Sequence, residues 1–227
     1  MRIETIYRYP VKGLTAEAME DVLLTAGETL PHDRRFALAQ GDSAFDPAAP
    51  AWLPKRNFAC LMVNARLALA HSAFDARTGE LAIRIPGAGL FLGDTRTPEG
   101  RAAIAAHLTA FLGEEARGTP RFTEAPGHSF SDVAKKVVSI IGLSSLHALE
   151  KASGMALDPL RFRANVYVSG GSPWAEFDWM GQEIQLGQAK LRVVKRIVRC
   201  PATEVNPATG ERDAEPPRWL RQHFGHA

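Results

Sequence analysis

Arg161-Phe162-Arg163-Ala164-Asn165-Val166-Tyr167-Val168-Ser169 alternates without a break. Phe162, Ala164, Val166 and Val168 fall on one side; Arg161, Arg163, Asn165, Tyr167 and Ser169 fall on the other. That is the period of a strand buried on one face. An ordinary half-exposed strand carries such a polar face to solvent. A strand lining a cleft would instead use Arg163 to grip a phosphate with its planar fork. Asn165 would then offer donors and an acceptor to a heterocycle.

Downstream, Leu191-Arg-Val-Val-Lys-Arg-Ile-Val-Arg-Cys200 reads as a second, strongly basic β-branched strand, followed at once by Pro201. Lys195, Arg196 and Arg199 put the Cys200 thiol in a positive field, which favours thiolate. Thiolate is both a nucleophile and a soft metal ligand, whereas free cysteines most often fill cores as small apolar residues. Strict alternation points Arg199 away from Cys200; a bulge or an early strand end before Pro201 would bring them together. Asn206-Pro-Ala-Thr-Gly210 then turns the chain.

Upstream, short apolar runs at 2–9, 19–25, 35–39, 64–70 and 81–85 read as strands, punctuated by Gly13, Gly27, Gly41, Gly79 and Gly87. Thr97-Pro98-Glu99 signals a helix start, with apolar residues at helical spacing through Leu112 and a stop at Gly113. Residues 115–131, rich in Gly, Pro, Thr and Ser, read as a linker. A short strand at 137–141 and a helix from Ser144 to Gly154 come next, with strands resuming at Arg163, Glu183 and Leu191. The fold class expected is mainly β with a few helices.

Composition excludes several classes. The net charge of +2 over 227 residues offers no general nucleic-acid surface. Two cysteines form neither a disulfide framework nor an iron–sulfur site, and Cys60, in an apolar run, reads as a core filler. No histidine pair has zinc-helix spacing, and there is neither a phosphate loop nor a serine-hydrolase elbow. The N-terminus lacks a leader or membrane-span pattern, so the expected setting is cytoplasmic, without a membrane partner. Trp174 and Trp179, around Glu176 and Asp178, read as aromatic packing at a strand edge or as the lining of a substrate mouth.

Phe162–Gly170, Trp174–Trp179, Arg199-Cys200 and Asn206–Gly210 resemble a MOSC domain (molybdenum cofactor sulfurase C-terminal domain). Tyr9-Pro-Val-Lys12-Gly13 and Asp33-Arg34-Arg35-Phe36 resemble the N-terminal β-barrel domain that accompanies MOSC in amidoxime-reducing proteins. The resemblance implies an N-terminal β-barrel-like domain over 1–118 and a MOSC β-barrel over 126–227. It implies a molybdenum cofactor in its molybdopterin form, with Cys200 as catalytic residue and molybdenum ligand. Lys12, Arg34 and Arg163 would hold the phosphate, and Asn165 with the backbone at Val198 and Arg199 would read the pterin. Gly13 stands where the family commonly has serine, so its N–H would replace a hydroxyl; Arg56 is a lesser candidate of the same kind. The closing strands that the family carries after this turn are largely absent past Gly210, so the barrel is expected to be shortened or closed differently there.

The function so implied is an oxidoreductase acting on small N-hydroxylated substrates. Electrons would come from a separate ferredoxin, flavin or haem reductase. A non-catalytic cofactor or sulfur carrier, and a MOSC scaffold without cofactor, stay open beside it. Lys12, Arg34, Arg163 and Cys200 are expected to converge on one cleft.

Overall fold

The computed structural model describes residues 1–226. In chain order the first strands are β1 (Arg2–Arg8), β2 (Glu17–Met19), β3 (Phe36–Ala39), β4 (His71–Asp75), β5 (Glu80–Ile85) and β6 (Gly89–Asp94). Helix α1 (Pro98–Leu112), β7 (Arg121–Glu124), β8 (Ile140–Gly142), α2 (Leu143–Ser153) and β9 (Val166–Ser169) follow. The chain ends through β10 (Glu183–Leu186), β11 (Ala189–Arg192) and α3 (Pro216–Phe224).

The opening strand belongs to both ends of the chain. β1 pairs antiparallel with β2 on one side and with β9 on the other, and β8 joins β9 in parallel, giving the order β2-β1-β9-β8. One sheet therefore ties the N-terminus to the segment around Val166. The remaining sheets are smaller: β3 with β7, the meander β4-β5-β6 and the hairpin β10-β11. The architecture is mainly β with a few helices, as the sequence indicates. The expected closed barrels are not formed among the described residues, because the strands are short and divide among four open sheets.

Helix α1 begins and ends where its sequence signals lie. The Thr97 hydroxyl accepts from the Gly100 N–H at 3.0 Å, Pro98 occupies the first turn, and Gly113 ends the helix at φ 57°. Its Ile104, Leu108 and Leu112 bury against Phe36, Leu81, Ile83 and Phe122. Each such side chain contributes about 1.5–3 kcal/mol on burial. Cys60 is buried, as expected of a core filler. A second core gathers Leu146, Leu149, Phe162, Tyr167 and Leu220, bringing α2, β9 and α3 together.

Three local expectations are corrected. The 64–70 run is a 3₁₀ turn over Ala65–Leu69, since its apolar residues Leu67 and Ala68 bury on a helical rather than an alternating face. The 19–25 run leaves the sheet after Met19. The supposed linker contains β7, whose Phe122 packs beneath Phe36 with ring centroids 5.3 Å apart. After Gly210 the chain forms α3, where Pro216 and Pro217 suit a helix start and cannot donate to a ladder.

Candidate functional site

Of the alternating stretch 161–169, only Val166–Ser169 is strand. Asp158 caps a 3₁₀ turn over Pro159–Phe162, its carboxylate accepting from Leu160 N–H at 2.8 Å, and Arg163 ends that turn in the left-handed region at φ 52°. Arg34 is left-handed too, at φ 50°. Non-glycine residues hold this conformation only where their surroundings fix them. Here the fixing group is Tyr9. Its ring lies between the two guanidiniums, 4.4 Å from Arg34 and 4.3 Å from Arg163.

Each arginine has a further anchor. Arg34 donates to both carboxylate oxygens of Asp33 at 2.7 and 2.6 Å and to the Arg163 carbonyl at 2.8 Å. Arg163 donates to the Leu14 carbonyl at 2.7 Å. Among the described residues no carboxylate pairs with Arg163, and burial draws its guanidinium down to about 10, with Arg34 pushing the same way.

Lys12 is only 7% exposed. Its ammonium donates to Asp132 Oδ1 at 2.5 Å and to the Phe130 carbonyl at 2.9 Å. Burial holds its pKa below the usual lysine value, against the pull of Asp132. The Phe130 peptide also joins the two groups of cations, because its N–H donates to the Arg34 carbonyl at 2.8 Å.

Asp132 continues the path. Its other oxygen accepts from Lys55 Nζ at 3.0 Å, and Lys55 Nζ donates to Cys200 Sγ at 3.1 Å. Lys55 opens a 3₁₀ turn after Pro54. Burial disfavours its charge, but Asp132 and Cys200 outweigh that and hold its pKa above the ordinary value. Asp132 is drawn the opposite way: burial raises it, yet Lys12 and Lys55 bring it to about 2.

Cys200 itself is partly exposed at the end of a run outside any strand, because β11 stops at Arg192. The strand expected through Cys200 is therefore absent, and with it the alternation difficulty. Its carbonyl accepts from the Thr203 N–H and hydroxyl at 3.0 and 2.9 Å, starting the turn Pro201–Glu204. Arg212 pins that turn to the N-terminal half, donating to Pro201 O at 2.7 Å, Leu61 O at 2.9 Å and Met62 O at 2.8 Å.

The cation in contact with the sulfur is not one of its sequence neighbours. Arg196 lies over Phe177 at 4.5 Å, and Arg199 lies over Phe162 at 5.4 Å. Lys55, 145 positions away, takes that place. Sequence reasoning considered Arg56 and missed Lys55 beside it; Asp132 was lost inside a segment read as linker. Proline before a basic pair was the sole local signal for Lys55.

Lys12, Arg34, Arg163 and Cys200 thus lie along one connected network. Asn165 is placed differently. It is 2% exposed; its amide oxygen accepts from Ser139 N–H and hydroxyl at 3.1 and 2.8 Å, and its NH₂ donates to Tyr7 O at 3.1 Å. It holds β1 to the segment before β8, leaving little capacity for a ligand. Gly13, at φ 88°, has a packing reason to be glycine: a Cβ there would lie 3.0 Å from Leu67 Cδ1 and 3.3 Å from Ala59 O. The Val198 side chain is 70% exposed.

Trp174 does not sit at a strand edge. It is left-handed at φ 66° and packs on Phe224 at 4.6 Å, while Glu176 accepts from Ser145 Oγ at 2.7 Å.

The depressed carboxylate sets a pH test. Asp132 falls from 3.8 to about 2 on folding, so its stabilising pairing is present above the ordinary carboxylate value and is lost as pH falls through about 2. Asp132→Asn should lower Tm at neutral pH, because the amide oxygen can still accept from Lys12 but no carboxylate charge then offsets the buried ammonium. The gap to wild type should then close between about 4 and 2. A pH-independent gap in calorimetric scans would show that the carboxylate charge is not what stabilises this network.

Among the described residues no group of three or more His, Cys, Asp or Glu side chains is placed to hold a metal ion, and no helix is long and apolar enough to cross a membrane. Two family models match the chain: the MOSC N-terminal beta barrel domain over residues 1–128 and the MOSC domain over residues 125–226. Among curated proteins, a molybdenum cofactor sulfurase of Anopheles gambiae is 37% identical over 76 residues. That match takes in 33% of this chain and 10% of the relative, so the chain spans about a tenth of that protein's length.

Proposed function

The chain belongs to the MOSC family, and from that premise we propose that it binds a molybdenum cofactor through Cys200 and reduces N-hydroxylated substrates with it. The observation that carries this reading is the Lys12–Asp132–Lys55–Cys200 path, which sets a partly exposed thiol at the end of a cation-rich network. Lys12, Arg34 and Arg163 carry more positive charge than the two carboxylates beside them, Asp33 and Asp132, can offset. Such a surplus suits a phosphate, and a sulfur ligand suits a thiophilic metal.

In this reading Cys200 would hold the metal, and Lys12, Arg34 and Arg163 would hold the terminal phosphate. The backbone at Val198 and Arg199 would face the pterin, whereas Asn165 would shape the wall behind it. The two family domains, proposed to divide near residues 118–126, would each supply part of the site. The cofactor, when bound, supplies two-electron redox chemistry. The N–O bond breaks, an N–H bond forms, and oxygen leaves as water with two electrons and two protons consumed. The electrons would come from a separate ferredoxin, flavin or haem reductase. The chain's own part is electrostatic: Lys55 and Asp132 fix the sulfur, and the arginine pair around Tyr9 keeps positive charge in a restricted place.

The name of the sulfurase relative and the partly exposed Cys200 thiol favour a second reading, a carrier of cofactor or sulfur without turnover. One preparation separates the two. Protein from a cofactor-competent host should contain molybdenum and pterin in stoichiometric amounts, and should reduce benzamidoxime to benzamidine with an artificial electron donor. Stoichiometric metal without reduction supports the carrier; absence of both metal and pterin overturns the cofactor reading.

A further inference from the structure

Lys55 makes a contact that cofactor holding does not require. Its ammonium donates to Cys200 Sγ at 3.1 Å and also to Asp132 Oδ2 at 3.0 Å. Asp132 is in turn held by Lys12 at 2.5 Å. The lysine stem is thus stretched between two fixed points rather than free in solvent; its side chain is 25% exposed. Pro54 sets its entry into the turn, and Phe58 N–H closes that turn on the Lys55 carbonyl at 3.0 Å. The other nearby cations face elsewhere: Arg34 and Arg163 bracket Tyr9, and Arg199 lies over Phe162. Among the described residues Lys55 is the cation that touches the sulfur.

We propose that Lys55 is a positioning residue that sets the reduction potential of the metal held by Cys200, by donating an N–H···S hydrogen bond to the ligand sulfur. The inference rests on the cofactor reading above. A hydrogen bond to a ligating sulfur withdraws electron density from it, and a nearby positive charge favours the form of the site carrying more electrons. Both effects move the potential in the positive direction. For a protein fed by an external donor, that direction makes the metal easier to reduce.

The test is redox titration of molybdenum-loaded wild type and three variants, with molybdenum content measured on each sample. Lys55→Arg keeps charge and donors and should keep the wild-type potential. Lys55→Gln keeps a donor without charge and should shift to more negative values. Lys55→Met loses both and should shift furthest, while retaining its molybdenum because the thiolate is unchanged. A wild-type potential in loaded Lys55→Met overturns the proposal. So does an empty Lys55→Met beside a fully loaded Lys55→Arg, which would make Lys55 a holding residue instead. Wild-type protein without molybdenum would overturn the cofactor reading itself, so the two failures are told apart by which sample lacks metal.

Discussion

Cys200→Ser is expected to leave a folded protein that no longer retains molybdenum. The fold should survive because Cys200 is partly exposed and takes no part in the buried cores. The turn after it depends on its carbonyl, which serine keeps, and on the Arg212 bonds to Pro201, Leu61 and Met62. Among the described residues the sulfur has one bond to lose, the 3.1 Å contact from Lys55, and a serine oxygen can accept in its place. Metal affinity behaves differently. A neutral hydroxyl is a poor ligand for a thiophilic metal, and Cys200 has no neighbouring His, Cys, Asp or Glu set to compensate among the described residues. Circular dichroism and metal content on one sample decide the matter. Full molybdenum retention in the serine variant would remove Cys200 from the site.

The same region shows what sequence can and cannot carry. The limits of α1 were legible because their causes are local: a capping hydroxyl, a first-turn proline and a terminal glycine act within a few residues. β7 was not legible, because Arg121–Glu124 becomes strand through pairing with β3, eighty-odd residues earlier. Alternation at 161–169 was real in sequence, yet Pro159 and the Asp158 cap claimed its first half for a turn. The site divides similarly. Cys200, Lys12, Arg34 and Arg163 stood out through resemblance or local charge, and the structure brings them into one network. Lys55 and Asp132 act only through partners 145, 120 and 77 positions away. No window of sequence contains such a relation.

Arg163 offers the other large effect, in cofactor retention. Wild type should keep the cofactor through gentle gel filtration best, Arg163→Lys less well, and Arg163→Glu least. The guanidinium is set by its own left-handed backbone, the Tyr9 ring and the Leu14 carbonyl, so it would have little freedom left to lose on binding a ligand. Lysine keeps a point charge without the two-pronged geometry that matches a phosphate. Losing one charge-assisted hydrogen bond costs about 1.5–3 kcal/mol, which is roughly ten- to a hundredfold in affinity. Glutamate goes further, because it sets a negative charge against the phosphate and removes the cation from one face of Tyr9. It also gives Arg34 a second carboxylate beside Asp33, which draws that guanidinium away from a ligand. Both variants keep a left-handed residue at 163, so the backbone strain is shared, and circular dichroism checks that each has folded. Pterin fluorescence of the protein peak reports what remains bound. Equal retention in all three proteins would make Arg163 a clamp on Tyr9 and Leu14 alone, with the phosphate held elsewhere.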